Sequence, residues 1–112
     1  MANPTEECIY SRLAVDPDLS DIIDMFVGEM PDRIATLTEQ LESSNWEGLR
    51  QTAHQLKGAA GSYGFDLISP SAARLESAVR DGQSEQRIQE TVNELIALCR
   101  RIRTGAKPKN VN

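Results

Sequence analysis

Apolar residues return at intervals of three and four along nearly the whole chain, and the stretches they mark are separated only by short runs that can turn. Leu19, Ile22, Ile23, Phe26, Met30, Ile34, Leu37 and Leu41 form the first stripe. Asp16 can cap its helix, with Pro17 in the first turn. Pro31 falls inside this pattern, removes one backbone donor, and should kink or divide the helix near Glu29 and Met30. Ser44 and Glu47 have the spacing of a capping box for a second helix, from Asn45 to about Tyr63, which Gly64 can end in a left-handed conformation. Ile68, Ala72, Leu75 and Val79 make a third stripe, with Pro70 in the first turn and Asp81-Gly82 as the stop. Ser84 caps a fourth, in which Ile88, Val92, Leu95, Ile96, Cys99 and Ile102 face inward and Gly105 marks the end. Ile9, Tyr10 and Leu13 suggest a further short helix against one end. With no alternating β-branched run and only short connections, the sequence predicts an all-α, antiparallel up-down-up-down four-helix bundle. The expected divisions are an N-terminal segment over 1–15, the bundle over 16–105 and a polar tail over 106–112.

A length of 112 residues with 39% hydrophobic content suffices for one domain with one core. The net charge of −5 and the pI near 4.8 argue against a dedicated nucleic-acid binder, which needs clustered cations over a phosphate-sized footprint. Arg100, Arg101, Arg103, Lys107 and Lys109 do make the end of the chain basic, but cations near a helix C-terminus complement its dipole. Cys8 and Cys99 stand apart without metal-ligand spacing, so a reducing, cytoplasmic setting is expected. No apolar run has the length of a membrane span, and the N-terminus, with Glu6 and Glu7, lacks the features of a signal peptide.

One helix face is unlike a core. At about 100° per residue, Lys57, Gly58 and Gly61 lie one and two turns beyond His54, the only histidine, while Leu49, Ala53, Leu56, Ala60 and Tyr63 fall on the opposite side. The imidazole should therefore meet solvent beside a cation and two bare patches of backbone. Each exposed glycine costs about 1 kcal/mol relative to alanine, a cost that close approach of a partner would explain. Arg50, Gln51 and Ser62 add donors to the same face. An exposed imidazole is largely neutral at cytoplasmic pH and can attack phosphorus through its free nitrogen. Lys57 would offset the charge that develops, and positioning with electrostatic stabilisation is most of what phosphoryl transfer requires. The chain has no P-loop or glycine-rich nucleotide fingerprint, so it should not phosphorylate itself from ATP. With no second histidine and no paired cysteines, a metal site is not expected.

The run His54, Lys57, Gly58, Ala59, Ala60 and, ten positions after the histidine, Gly64 resembles the signature of histidine-containing phosphotransfer domains, the HPt modules of multistep phosphorelays. The resemblance extends over nearly the whole chain, since that family folds as a four-helix bundle with its histidine exposed in mid-helix. It implies that His54 is the phosphoacceptor, Lys57 the phosphate-stabilising cation and Gly58 the small residue that admits a receiver domain. It further implies a carrier, not an enzyme, that takes a phosphoryl group from the aspartyl phosphate of one response-regulator receiver and passes it to another. A hybrid sensor kinase stands upstream, and magnesium is held only by the receiver. Some members place a glutamine on the third helix near the phosphohistidine, with a basic residue one turn later. These positions fall here on Glu76, which departs from glutamine and is not expected to contact phosphate, and on Arg80, which remains a candidate. Docking should use apolar residues of the first long helix, Ile23 and Phe26 above all, because Ile22, Ile23, Met25 and Phe26 cannot all be buried. A monomer suits such an exposed face. Two rival readings are the phosphoacceptor domain of a chemotaxis-type histidine kinase, which shares the bundle and the motif, and a helical interaction module without chemistry. The initiating Met1 and the polar finish at Asn112 favour a stand-alone protein.

Overall fold

A computed structural model describes residues 7–106. The side chain of Asp16 accepts a hydrogen bond from the Asp18 amide at 2.9 Å and starts a short 3₁₀ turn, Pro17–Leu19, that leads into α1, Ser20–Gly28. The chain then breaks at Glu29 and resumes as α2, Met30–Glu42, with Pro31 in its first turn. Proline has no amide to continue the ladder, so the expected kink takes the form of a division. α3 spans Trp46–Ser62, α4 Ile68–Arg80 and α5 Glu85–Cys99. α2 packs on α3, α3 on α4, α4 on α5, and α5 back on α2, so the four close a bundle around one core. Their short connections make sequential helices antiparallel neighbours. α1 packs through Phe26 on Tyr63 and Phe65, just beyond the end of α3.

The ends of the helices follow local chemistry with one exception. Asn45, not Ser44, caps α3: its Oδ1 accepts from the Gly48 amide at 3.0 Å, while Ser44 sits in the turn with φ of 54°. The anticipated Ser44–Glu47 capping box does not form, and Glu47 pairs with Arg50 instead. Gly64 ends α3 at φ +81°, where an added Cβ would come within 2.6 Å of Ser11 Oγ, so both the backbone and the neighbouring segment require glycine. Ser84 caps α5 by accepting from the Arg87 amide at 3.1 Å.

The two termini of the described chain depart from expectation together. No helix forms over Ile9, Tyr10 and Leu13. Ile9–Tyr10 is a short strand, β1, paired in parallel with β2, Ile102–Arg103, beyond an α5 that stops at Cys99 short of Ile102 and Gly105. The Ile9 amide donates to the Arg101 carbonyl at 2.8 Å and Arg101 Nε donates to the Glu7 carbonyl at 2.6 Å. This pairing lets Ile9 and Ile102 close the end of the core, which a continued helix would not. Residues 107–112, with Lys107 and Lys109 of the expected tail, and residues 1–6 lie outside the described residues. Among the described residues no helix is long and apolar enough to cross a membrane.

Candidate functional site

His54 lies in the middle of α3 on the face turned away from Leu49, Ala53, Leu56 and Ala60, all of which are fully buried. The wheel put it there, and its side chain is 63% exposed. Lys57, one turn on, is partly exposed beside it. Gly58 has open space where a side chain would stand, so the backbone next to the imidazole is accessible. Gly61 lies closer to α4. A Cβ there would meet Ser69 Oγ on α4 at 3.6 Å, an ordinary van der Waals contact, so the space beside Gly61 is bounded by α4 where that beside Gly58 is open. Ser69 Oγ also donates to the Lys57 carbonyl at 2.9 Å and pins α4 to α3 beside the site.

The residue that organises the site is Glu76. It lies on the inward side of α4, 5% exposed, and grips both functional side chains of α3. Its Oε2 is 2.8 Å from His54 Nδ1, and its Oε1 accepts from Lys57 Nζ at 2.7 Å. The hydrogen bond from the Lys57 ammonium holds the Glu76 carboxyl below its ordinary range, against a burial that pushes it up, and His54 adds to the lowering. An ionised carboxylate only accepts, so the shared proton belongs to Nδ1 and the lone pair of the ring is on Nε2, the nitrogen free of Glu76. The arrangement supplies an oriented nucleophile on an exposed ring, with a cation held by the same carboxylate.

This ion pair bears on stability. The unfolded chain titrates Glu76 near the ordinary value of 4.5, whereas the native state binds that proton only at lower pH. Its contribution is therefore complete above the unfolded value and is lost as pH falls through the native one. Thermal melts of the protein and of Glu76→Gln should differ most at neutral pH and converge as pH falls from about 5 toward 3; a constant difference would exclude the pairing as its source.

The other expected site residues distribute as follows. Arg50 and Gln51 lie one turn before His54, and both donate to Glu47, Arg50 through two nitrogens. Ser62 is exposed at the end of α3, beside a small cleft that it forms with Leu13, Leu19, Ile22, Ile23 and Tyr63. Arg80 is not brought to the imidazole: it donates to Ser77 Oγ on its own helix at 3.0 Å and lies 3.7 Å from Asp81. Ile23 and Phe26 must also be withdrawn as docking residues. Both are buried, at 2% and 1% exposure, because α1 turns that edge onto Tyr63 and Phe65. The exposed apolar pair of α1 is Ile22, at 42%, and Met25, at 64%.

Glu76 was legible in part. It follows Ala72 by one turn on an otherwise apolar face, and an acid on a core stripe must find a cation or a donor. The family resemblance places position 76 near the histidine, but that its carboxylate binds both His54 Nδ1 and Lys57 follows only from how α3 and α4 align.

Comparison with known proteins agrees with this geometry. The profile described as Hpt domain matches residues 21–105. The phosphorelay protein LuxU of Vibrio harveyi is 34% identical over 77 residues, which cover 69% of this chain and 67% of that protein. No solved structure matches the chain.

Proposed function

Because the chain belongs to the Hpt domain family, in which it is a phosphorelay carrier, we propose that His54 is the residue loaded and Lys57 the cation that steadies the load. The observation that carries this reading is the exposure of His54 with its Nδ1 committed to Glu76 at 2.8 Å, which leaves Nε2 as the nucleophile. Nε2 attacks the phosphorus of a receiver's aspartyl phosphate as the bond to the carboxylate oxygen breaks, and the reverse reaction with a second receiver discharges the carrier. Lys57, held by Glu76 within reach of the ring, then faces a dianion and offsets its charge. Magnesium belongs to the receiver's acidic pocket in this scheme, and the chain does not use ATP itself.

Docking follows from the same face. Ser62 lies two turns along α3 from His54, about 12 Å at 1.5 Å per residue. A standard interface of about 800 Å² per partner spans that distance easily. A receiver seated on His54 and Gly58 therefore reaches Ile22, Met25 and Ser62, with Arg50 and Gln51 at its polar rim. The protein works as a monomer in the cytoplasm, between a hybrid sensor kinase and a response regulator.

Incubation with a receiver domain, magnesium and acetyl phosphate should place acid-labile, base-stable phosphate on this chain. Absence of label with several active receivers would leave only a binding role for the His54 face.

A further inference from the structure

Loading changes the character of the nitrogen that does not react. In the unloaded protein the Nδ1–H group donates a hydrogen bond to the ionised Glu76 Oε2 at 2.8 Å. When Nε2 attacks an acyl phosphate, the N–P bond forms, the P–O bond to the aspartyl carboxylate breaks, and the carboxylate departs with the electron pair. No proton needs to move. The ring, now substituted on Nε2 and still protonated on Nδ1, carries a positive charge. A cation of this kind ordinarily surrenders its proton to water in the neutral range. Once it has done so, the ring is a poor leaving group, because discharge would have to expel an imidazolate anion instead of a neutral imidazole.

Taking His54 as the acceptor, we propose that Glu76 keeps the proton on Nδ1 of the loaded ring, so that the phosphoryl group enters and leaves the carrier without any proton exchange. Glu76 is a positioning residue in this scheme and touches no phosphorus. Three observations carry the inference. The carboxylate is in direct contact with the nitrogen that must stay protonated. At 5% exposure and 2.8 Å from the ring nitrogen, it leaves no room for water between the two groups. Its other oxygen is fixed by Lys57, which prevents it from turning away.

The surrounding charges do not reverse this. Lys57 and Arg50 on α3 oppose a second cation, but Lys57 already shares Glu76 and Arg50 is paired with Glu47. α4 contributes Glu76 itself. α2 brings Asp32 and Arg33, with Glu29 just before it, along a separate groove with Thr52 and Gln55. The phosphoryl group also favours the proton, but it does so in any phosphohistidine; the buried acid is what sets this site apart. The carboxyl is held ionised by the same lysine, so it accepts the hydrogen bond without taking the proton.

Glu76→Gln tests the role, since the amide can still accept from Nδ1 through its oxygen but carries no charge. Both proteins are loaded with phosphoramidate and discharged to one magnesium-bound receiver domain across a pH series. The receiver's own pH dependence cancels in the ratio of the two rates. That ratio, native over variant, should rise with pH and approach about tenfold by pH 9, the plateau that one unit of added proton affinity produces. A ratio that stays constant would overturn the proposal. Nitrogen NMR of the loaded native ring gives a reading independent of any variant: the Nδ1 proton should be lost about one pH unit above the point at which an isolated loaded ring loses it, and loss at the same pH would overturn the proposal even if Glu76→Gln fails to fold. If phosphoramidate leaves His54 unlabelled, the acceptor assignment itself fails, a result distinct from a labelled protein with a flat ratio.

Discussion

His54→Gln should take up no phosphate from a phosphorylated receiver, while its melting transition stays within about 1 kcal/mol of the native protein's. Both halves follow from where the ring stands. Its side chain is 63% exposed, so replacing it opens no cavity, and exposed substitutions away from special features cost about 0.5 kcal/mol or less. The hydrogen bond to Glu76 is lost or remade by the glutamine amide, and Lys57 continues to satisfy the carboxylate at 2.7 Å. The buried acid is thus not left alone, which would otherwise be the costly outcome. Chemically, no substitute remains, because among the described residues there is no other imidazole and an amide nitrogen does not attack phosphorus. Acid-labile label measured by autoradiography, alongside a thermal melt followed by circular dichroism, separates the possibilities. Label that persists on His54→Gln would remove His54 from the mechanism. Label that disappears together with the fold would show a structural role instead.

How much of this could be read from residues alone depends on the range of the interaction concerned. Periodicity and capping are local, and they placed α1 to α5 within a few residues, including the division at Pro31 and the stop at Gly64. The wheel of α3 is equally local, so His54, Lys57 and Gly58 emerged on the solvent face as expected. Non-local pairing defeated the same reasoning at the ends. Nothing near Ile9 in the sequence announces Ile102 as its partner, and the apolar triplet looked like a helix turn until the ladder was visible. The neighbour of Gly61, Ser69, is equally out of local reach, since it belongs to α4. Glu76 is the most instructive case. The family resemblance alone brings it near the imidazole, and the expectation that a carboxylate avoids phosphate leaves out its contact with the ring's other nitrogen and with Lys57. The two predicted docking residues failed on a finer point: a helix with four large apolar residues in five positions buries two, and which two depends on the rotation of α1 against Tyr63 and Phe65.

That rotation makes a sharp comparison between neighbours on one helix turn. Phe26→Ala should destabilise the protein by about 3–5 kcal/mol, because it removes a fully buried ring and leaves a cavity that its surroundings fill only in part. The ring is 1% exposed, lies 5.2 Å from Tyr63 and 5.4 Å from Phe65 between ring centroids, and has the Arg33 guanidinium 5.5 Å above it. For a domain stable by about 5–15 kcal/mol in total, such a loss is a large fraction and should bring the urea midpoint down steeply. Met25→Asp should do the opposite. At 64% exposure the side chain contributes little to the core, so the midpoint stays nearly unchanged, while a charge placed in the apolar edge offered to a receiver slows transfer at low receiver concentration. Urea titrations and transfer rates on the two variants provide the four readings. A Phe26→Ala protein as stable as the native one but slow in transfer would restore Phe26 to the docking surface and require α1 to sit differently on the bundle. Transfer by Met25→Asp at the native rate would place the receiver's footprint off α1 altogether, since an unpaired carboxylate buried at an interface cannot be silent.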